Sequence, residues 1–172
     1  MKGGHVGIEI ERKYIIVRPC LSDMEKCEGY SKSDIVQIYL SSGAETTRRI
    51  RKRTSLGVSH FFETEKVRID KMSVTETERE ISEEEFLLLS TERAVGTNPI
   101  IKTRHAFTVD GVSYEIDFYP EWENTCILEN ELPDRETSVT HPSFIRVVRE
   151  VTGVREYSNA AMSKHFPKED HL

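Results

Sequence analysis

Strand-length stretches in which charged and apolar residues alternate recur eight times along this chain. They run at about Val6–Val17, Asp34–Ser41, Thr47–Thr54, His60–Val67, Ser73–Ile81, Ile100–Val109, Val112–Tyr119 and Thr125–Leu132. A helix cannot use a period of two to build one apolar stripe, whereas a strand sends successive side chains to opposite faces. The fold class that follows is α+β and rich in strands. Asp110-Gly111 separates the sixth and seventh stretches as a two-residue hairpin turn. Ser82-Glu83-Glu84-Glu85 is a capping box that opens a helix through Phe86, Leu88 and Leu89. After Pro142, Phe144, Ile145, Val147 and Val148 recur at helical spacing and predict a helix stopped at Gly153, and a third short helix is expected from Ser158. With no Gly/Ser linker or repeat, residues 1–172 are expected to form a single domain, its motif-bearing part at about 6–160.

The alternation also sorts charge strand by strand. Glu9, Glu11 and Lys13 share one face of the first stretch, with Ile8 and Ile10 on the other. Arg49, Arg51 and Arg53 share a face of the third, Glu76, Glu78 and Glu80 one of the fifth, and Lys102 and Arg104 one of the sixth. Glu115 and Asp117 fall together on the seventh, Glu129 and Glu131 on the eighth. In an open sheet these would be solvated outer faces. In a closed eight-stranded antiparallel barrel they would line one polar lumen, with the apolar faces turned outward under flanking helices. A charged interior needs ligands or water to solvate it. Divalent cations facing the acidic strands and an oligophosphate facing the basic ones would meet that need.

Composition narrows the partners. Asp and Glu number 30 against 24 Lys and Arg, a net charge of -6, so nothing global draws nucleic acid or an acidic membrane. No apolar run is long enough to span a bilayer, and the first residues show no signal-peptide pattern. Three cysteines without metal-site spacing argue against a disulfide framework or a zinc site, and a reducing, cytoplasmic setting is expected.

Glu9-Ile10-Glu11-Arg12-Lys13 matches the ExExK signature of the CYTH domain, the triphosphate tunnel metalloenzyme superfamily. The likeness continues in order through Arg49-Ile50-Arg51, Thr64-Glu65-Lys66, Glu76-Thr77-Glu78-Arg79-Glu80-Ile81 and Lys102-Thr103-Arg104. It then takes in Tyr114-Glu115-Ile116-Asp117, Leu128-Glu129-Asn130-Glu131-Leu132, and Glu150-Val151-Thr152-Gly153 with Tyr157-Ser158-Asn159. The chain thus resembles the small bacterial members of that superfamily. The resemblance implies a closed eight-stranded antiparallel β-barrel whose lumen is a solvent-open tunnel. It also implies cleavage or cyclisation of triphosphates with Mg²⁺ or Mn²⁺, in all two ions.

By the same resemblance Glu9, Glu11, Glu76, Glu78, Asp117, Glu129 and Glu131 are expected to hold metal or position water, with Glu115 in the same lining. Hard divalent cations suit such oxygen donors. Lys13, Arg49, Arg51, Arg53, Lys66, Lys102 and Arg104 are expected to hold the phosphates, and Lys66, Glu78 and Glu129 to carry the catalysis. One metal would bridge phosphate oxygens and a second would activate the attacking water, which predicts an alkaline pH optimum. The activity implied first is hydrolysis of inorganic triphosphate to pyrophosphate and phosphate. The alternatives are adenylate cyclase, thiamine triphosphatase, or a non-catalytic binder of polyphosphate or nucleotides. The partner is a small triphosphate, without nucleic acid or membrane, and a homodimer is compatible with the pattern.

Three positions depart from the family pattern. Val67 follows Lys66 where glycine is usual, Val74 stands where many relatives carry arginine, and Glu156 precedes Tyr157 where a basic residue is common, with Arg155 one position away. His105, opposite Lys102 and Arg104, reads as a strand histidine rather than a base, and Trp122 and Cys126 read as packing residues.

Overall fold

The computed structural model describes residues 10–43, 46–68, 74–132 and 137–170. Nine strands make one antiparallel sheet: β1 (Ile10–Val17), β2 (Glu28–Leu40), β3 (Thr46–Ser55), β4 (Val58–Arg68), β5 (Val74–Ile81), β6 (Ile100–Val109), β7 (Val112–Phe118), β8 (Thr125–Leu132) and β9 (Val147–Glu150). Their hydrogen-bonded order is β5-β4-β3-β2-β6-β7-β8-β1-β9. Short helices α1 (Leu21–Met24), α2 (Glu83–Ser90) and α3 (Asn159–Met162), with a 3-10 turn at Arg155–Tyr157, complete the described elements.

Local chemistry accounts for the joints. Asp110 and Gly111 both take positive φ, 50° and 77°, and connect Val109 to Val112 across the β6–β7 hairpin. Leu56 and Gly57 make the same kind of turn between β3 and β4, at 50° and 79°. Ser82 caps α2 by accepting a hydrogen bond from the Glu85 backbone N–H at 3.1 Å, as the capping box predicts.

The apolar strand faces do turn outward. Phe86 of α2 packs with Phe61, Ile81, Ile38 and Ile50 over β2–β5, the Phe61 and Phe86 rings 5.2 Å apart. Met24 of α1 and Ile145 cover a second outer cluster that includes Tyr14, Ile16, Tyr114, Ile116 and Leu128. Cys126 is fully buried there, and burial pushes its thiol pKa up.

Two expectations need correction. Among the described residues no ladder joins β5 to β9 or to β1, so the strand pairing makes a nine-stranded antiparallel sheet that hydrogen bonds do not close into the expected eight-stranded barrel. β9 lies along the edge of β1 from Tyr14 to Ile16. That strand also replaces the helix expected after Pro142. The β-branched pair Val147-Val148 favours an extended chain, and the open edge of β1 offers it a row of backbone hydrogen-bond partners.

Nor is the inner face polar along its whole length. Ile15, Tyr39, Ile100, Tyr119 and Ile127 lie on the same strand faces as the charged sets. They pack with Trp122, Val151, Tyr157 and Met162 into a buried cluster. One end of the interior is therefore filled by apolar side chains, in place of a tunnel open throughout.

Candidate active site

The polar part of the inner face encloses a cavity of about 460 Å³, to which β1 through β8 and the start of α3 all contribute. Lys13, Arg49, Arg51, Lys66, Lys102 and Arg104 line it with positive charge, and Glu11, Glu76, Glu78, Glu115, Glu129 and Glu131 with negative. The period-two rule places each pair on one face, and the curl brings the faces together.

On one wall, Arg51 Nη2 lies 3.0 Å from Glu78 Oε2, which also accepts from Thr64 Oγ1 at 2.9 Å. Glu76 pairs with Lys66, opposite it in the β4–β5 register, and its Oε1 lies 3.7 Å from Arg49. The Nε atoms of Arg49 and Arg51 are buried and make no hydrogen bond among the described residues. Burial, with the neighbouring charge of Arg49, lowers the Arg51 pKa below its ordinary value.

On the facing wall, acidic residues stand in register: Glu11 opposite Glu131 and Glu115 opposite Glu129. Like charges so placed repel unless cations lie between them. Lys13 Nζ sits 2.8 Å from Glu129 and 3.8 Å from Glu11, while Arg104 reaches Glu129 at 2.8 Å and also pairs with Glu115. Burial and Asp117 would raise the Glu129 pKa, but Lys13, Lys102 and Arg104 overcome them and hold it below the usual carboxylate range. Burial alone would lower the Lys13 pKa, and Glu129 and Glu11 raise it above its ordinary value instead.

Asp117 is not in this lining. It is fully buried behind Lys102 and Arg104, and both its oxygens are taken: Arg104 donates at 2.6 and 2.7 Å, and Lys102 pairs with the same carboxylate. The β6–β7 register sets Asp117 directly against Arg104. Burial would raise its pKa, and the two cations hold it well below the carboxylate range. Its place is that of a buried counterion which fixes two cavity cations, not of a ligand facing the cavity. Arg53 is exposed outside the lining and donates to Ser33 Oγ at 3.0 Å. Glu9 lies outside the described residues.

The cavity also uses residues that the charge pattern does not signal. Gln37 and Tyr39 line it from β2, joined by a 2.8 Å hydrogen bond, and Ser158, Asn159 and Ala160 from α3 and its cap. The inner positions of β2 follow the same period but carry no charged set to mark them. His105 and Trp122 are buried packing residues, His105 bonded to the Tyr30 hydroxyl at 3.0 Å.

In donor chemistry the facing wall suits a hard divalent cation, since every acidic group there offers carboxylate oxygen. Among the described residues, no three acidic, histidine or cysteine side chains are disposed to hold a metal ion as they stand. Glu129 and Glu115 are instead engaged by lysine and arginine. No helix among the described residues is long and apolar enough to cross a membrane.

No protein-family profile and no curated protein matches the sequence. Solved structures do. The inorganic triphosphatase NE1496 is similar over 95% of this chain and 99% of its own, at a TM-score of 0.64 and 22% identity. The PH1012 protein from Pyrococcus horikoshii OT3 is similar over 74% of this chain and 79% of its own, at a TM-score of 0.53 and 19% identity. The likeness is one of fold.

Proposed function

We propose that this chain, sharing the fold of an inorganic triphosphatase, hydrolyses inorganic triphosphate to pyrophosphate and phosphate with the help of a divalent cation. The observation that carries the reading is the pair of buried arginine Nε donors, on Arg49 and Arg51, that have no hydrogen-bond partner among the described residues, in a cavity lined by six cationic side chains. A buried unpaired donor costs roughly 1–3 kcal/mol, so the wall is suited to an anion rich in acceptor oxygens. A triphosphate would compete with Glu76 and Glu78 for Arg49, Arg51 and Lys66, and would gain charge-assisted hydrogen bonds in exchange.

Opposite it, Lys13, Lys102 and Arg104 would hold the remaining phosphate oxygens. Glu11, Glu115, Glu129 and Glu131 would hold the cation, which when bound supplies charge neutralisation and a more acidic bound water. Phosphoryl transfer asks mainly for positioning and charge stabilisation. Lys66 and the arginines meet the charge that develops on the terminal phosphate. Glu78 would accept the proton of the attacking water, which Glu129 on the facing wall would help to orient. Its neighbouring cations keep Glu129 ionised, which suits it to holding a cation and orienting water.

The test is phosphate release from inorganic triphosphate, ATP and thiamine triphosphate, each with Mg²⁺, with Mn²⁺ and with chelator, and with Glu129→Gln as control. Metal-dependent turnover of inorganic triphosphate, lost in the variant, is the expected result. Absence of turnover with every substrate would refute the reading, and cyclic AMP and pyrophosphate from ATP would replace it with a cyclase.

A further inference from the structure

The wall formed by Ser158, Asn159 and Ala160 is held in place by a strap that ends far from the cavity. The Glu169 carboxylate accepts three successive backbone N–H groups of the β7–β8 loop, Glu123 at 3.1 Å, Asn124 at 2.5 Å and Thr125 at 2.6 Å, and the Thr125 hydroxyl at 3.1 Å. These donors hold its pKa below the ordinary value against the opposing effect of burial. Beside it, Trp122 Nε1 donates to the Pro167 carbonyl at 3.0 Å, and Arg149 grips Asp170 at 2.8 and 3.1 Å. Between the latch and the wall, Phe166 stacks edge-on against Tyr119 and Trp122, 5.4 Å from each, and Met162 is buried in the apolar end of the interior. At the wall itself the Tyr119 hydroxyl donates to Asn159 Oδ1 at 3.0 Å.

We infer that Glu169 is a positioning residue: docked in the amide nest of residues 123–125, it holds the C-terminal strap so that Ser158–Ala160 complete the substrate cavity. The nest is a concave set of N–H dipoles that binds an anion wherever one is supplied, and here the chain supplies its own. Releasing it removes four hydrogen bonds between the strap and residues 123–125 and loosens the segment that still rests on Trp122 and Arg149. The wall then depends on α3, one helical turn long, and on its remaining ties: Tyr119 to Asn159, Asn98 to the Ser163 carbonyl, and the buried Met162. The substrate-bearing part of this inference rests on the triphosphatase reading, whereas the latch does not.

Glu169→Ala, Glu169→Gln and Thr125→Val are compared with wild type by three measurements. These are the emission of Trp122, the chain's sole tryptophan, hydrogen exchange of residues 158–163, and steady-state kinetics with inorganic triphosphate. In Glu169→Ala the expected result is a red-shifted Trp122 emission and faster exchange at 158–163. KM rises about fivefold or more with kcat within about twofold, as expected for lost ground-state positioning. Glu169→Gln, which keeps an acceptor oxygen, and Thr125→Val, which keeps the three N–H donors, fall in between. A merely structural role would lower the melting temperature and leave KM and local exchange at wild-type values, and that outcome refutes the inference. If wild type turns over no triphosphate, the function proposed above fails. The tryptophan and exchange measurements still decide the latch, and calorimetric titration of inorganic triphosphate into wild type and Glu169→Ala decides its link to the cavity.

Discussion

Replacing Asp117 by asparagine removes the charge around which the facing wall is built. Asp117 is 0% exposed and Lys102 4%. Without the carboxylate, Lys102 is left buried beside Arg104, which repels it, while Arg104 keeps Glu115 and Glu129. Breaking a buried ion pair on one side costs about 3–5 kcal/mol, and the amide oxygen of asparagine recovers part of a hydrogen bond, so about 3 kcal/mol is expected. For a chain of this size that corresponds to a fall in melting temperature of roughly 6–12 °C. Urea denaturation at pH 7 without divalent cations, followed by far-UV circular dichroism and Trp122 fluorescence, measures it. The double variant Asp117→Asn/Lys102→Met, which removes both charges, should recover most of the loss. A single variant within about 0.5 kcal/mol of wild type, the range of an ordinary surface change, would refute the buried-counterion reading. So would a double variant no more stable than the single. Were Asp117 a metal ligand instead, its loss would weaken cation binding and leave the metal-free stability untouched.

The same carboxylate predicts an acid dependence. Because its folded pKa lies below the unfolded value of about 3.9, its contribution is fully present above that value and is lost as pH falls through the folded one. The stability gap between wild type and Asp117→Asn, read from urea midpoints between pH 7 and pH 2, should hold down to about pH 5 and shrink below about pH 4; a constant gap contradicts the assignment. Leu56, fully exposed and at φ 50°, occupies a turn position that suits asparagine or glycine. Leu56→Asn should stabilise the protein by about 0.5–1 kcal/mol in the same assay, and any loss of stability counts against the turn argument. Arg51→Ala should raise KM for inorganic triphosphate about 10- to 100-fold, the worth of one or two charge-assisted hydrogen bonds. Lys52→Ala, on the outer face over the Phe61 ring, should leave KM alone, and equal effects from the two would show that the strand faces are misassigned.

What the sequence determined by itself is which side chains share a strand face. Backbone geometry imposes the period of two, so Arg49 with Arg51, Glu76 with Glu78, and Glu129 with Glu131 were bound to point together in any sheet. Asp110-Gly111 and the Ser82 capping box were equally legible, because turn and cap chemistry is local. Only the tertiary structure decided what each face meets. Glu115 and Asp117 share a face, yet register against Arg104 and burial behind Lys102 make Asp117 an internal counterion while Glu115 lines the cavity. Val147-Val148 fits a helix by spacing, and the free edge of β1, remote in the chain, makes it a strand. Ile15, Ile100 and Ile127 follow the same alternation as the charged residues beside them, but only the curl of the sheet gathers them into a plug. Glu169 carries no local signal at all, since its partners lie 44 to 46 positions away. Local steric rules act over a few residues, whereas pairing, closure and burial depend on which distant segments win each exposed edge, and that competition is settled only in the folded chain.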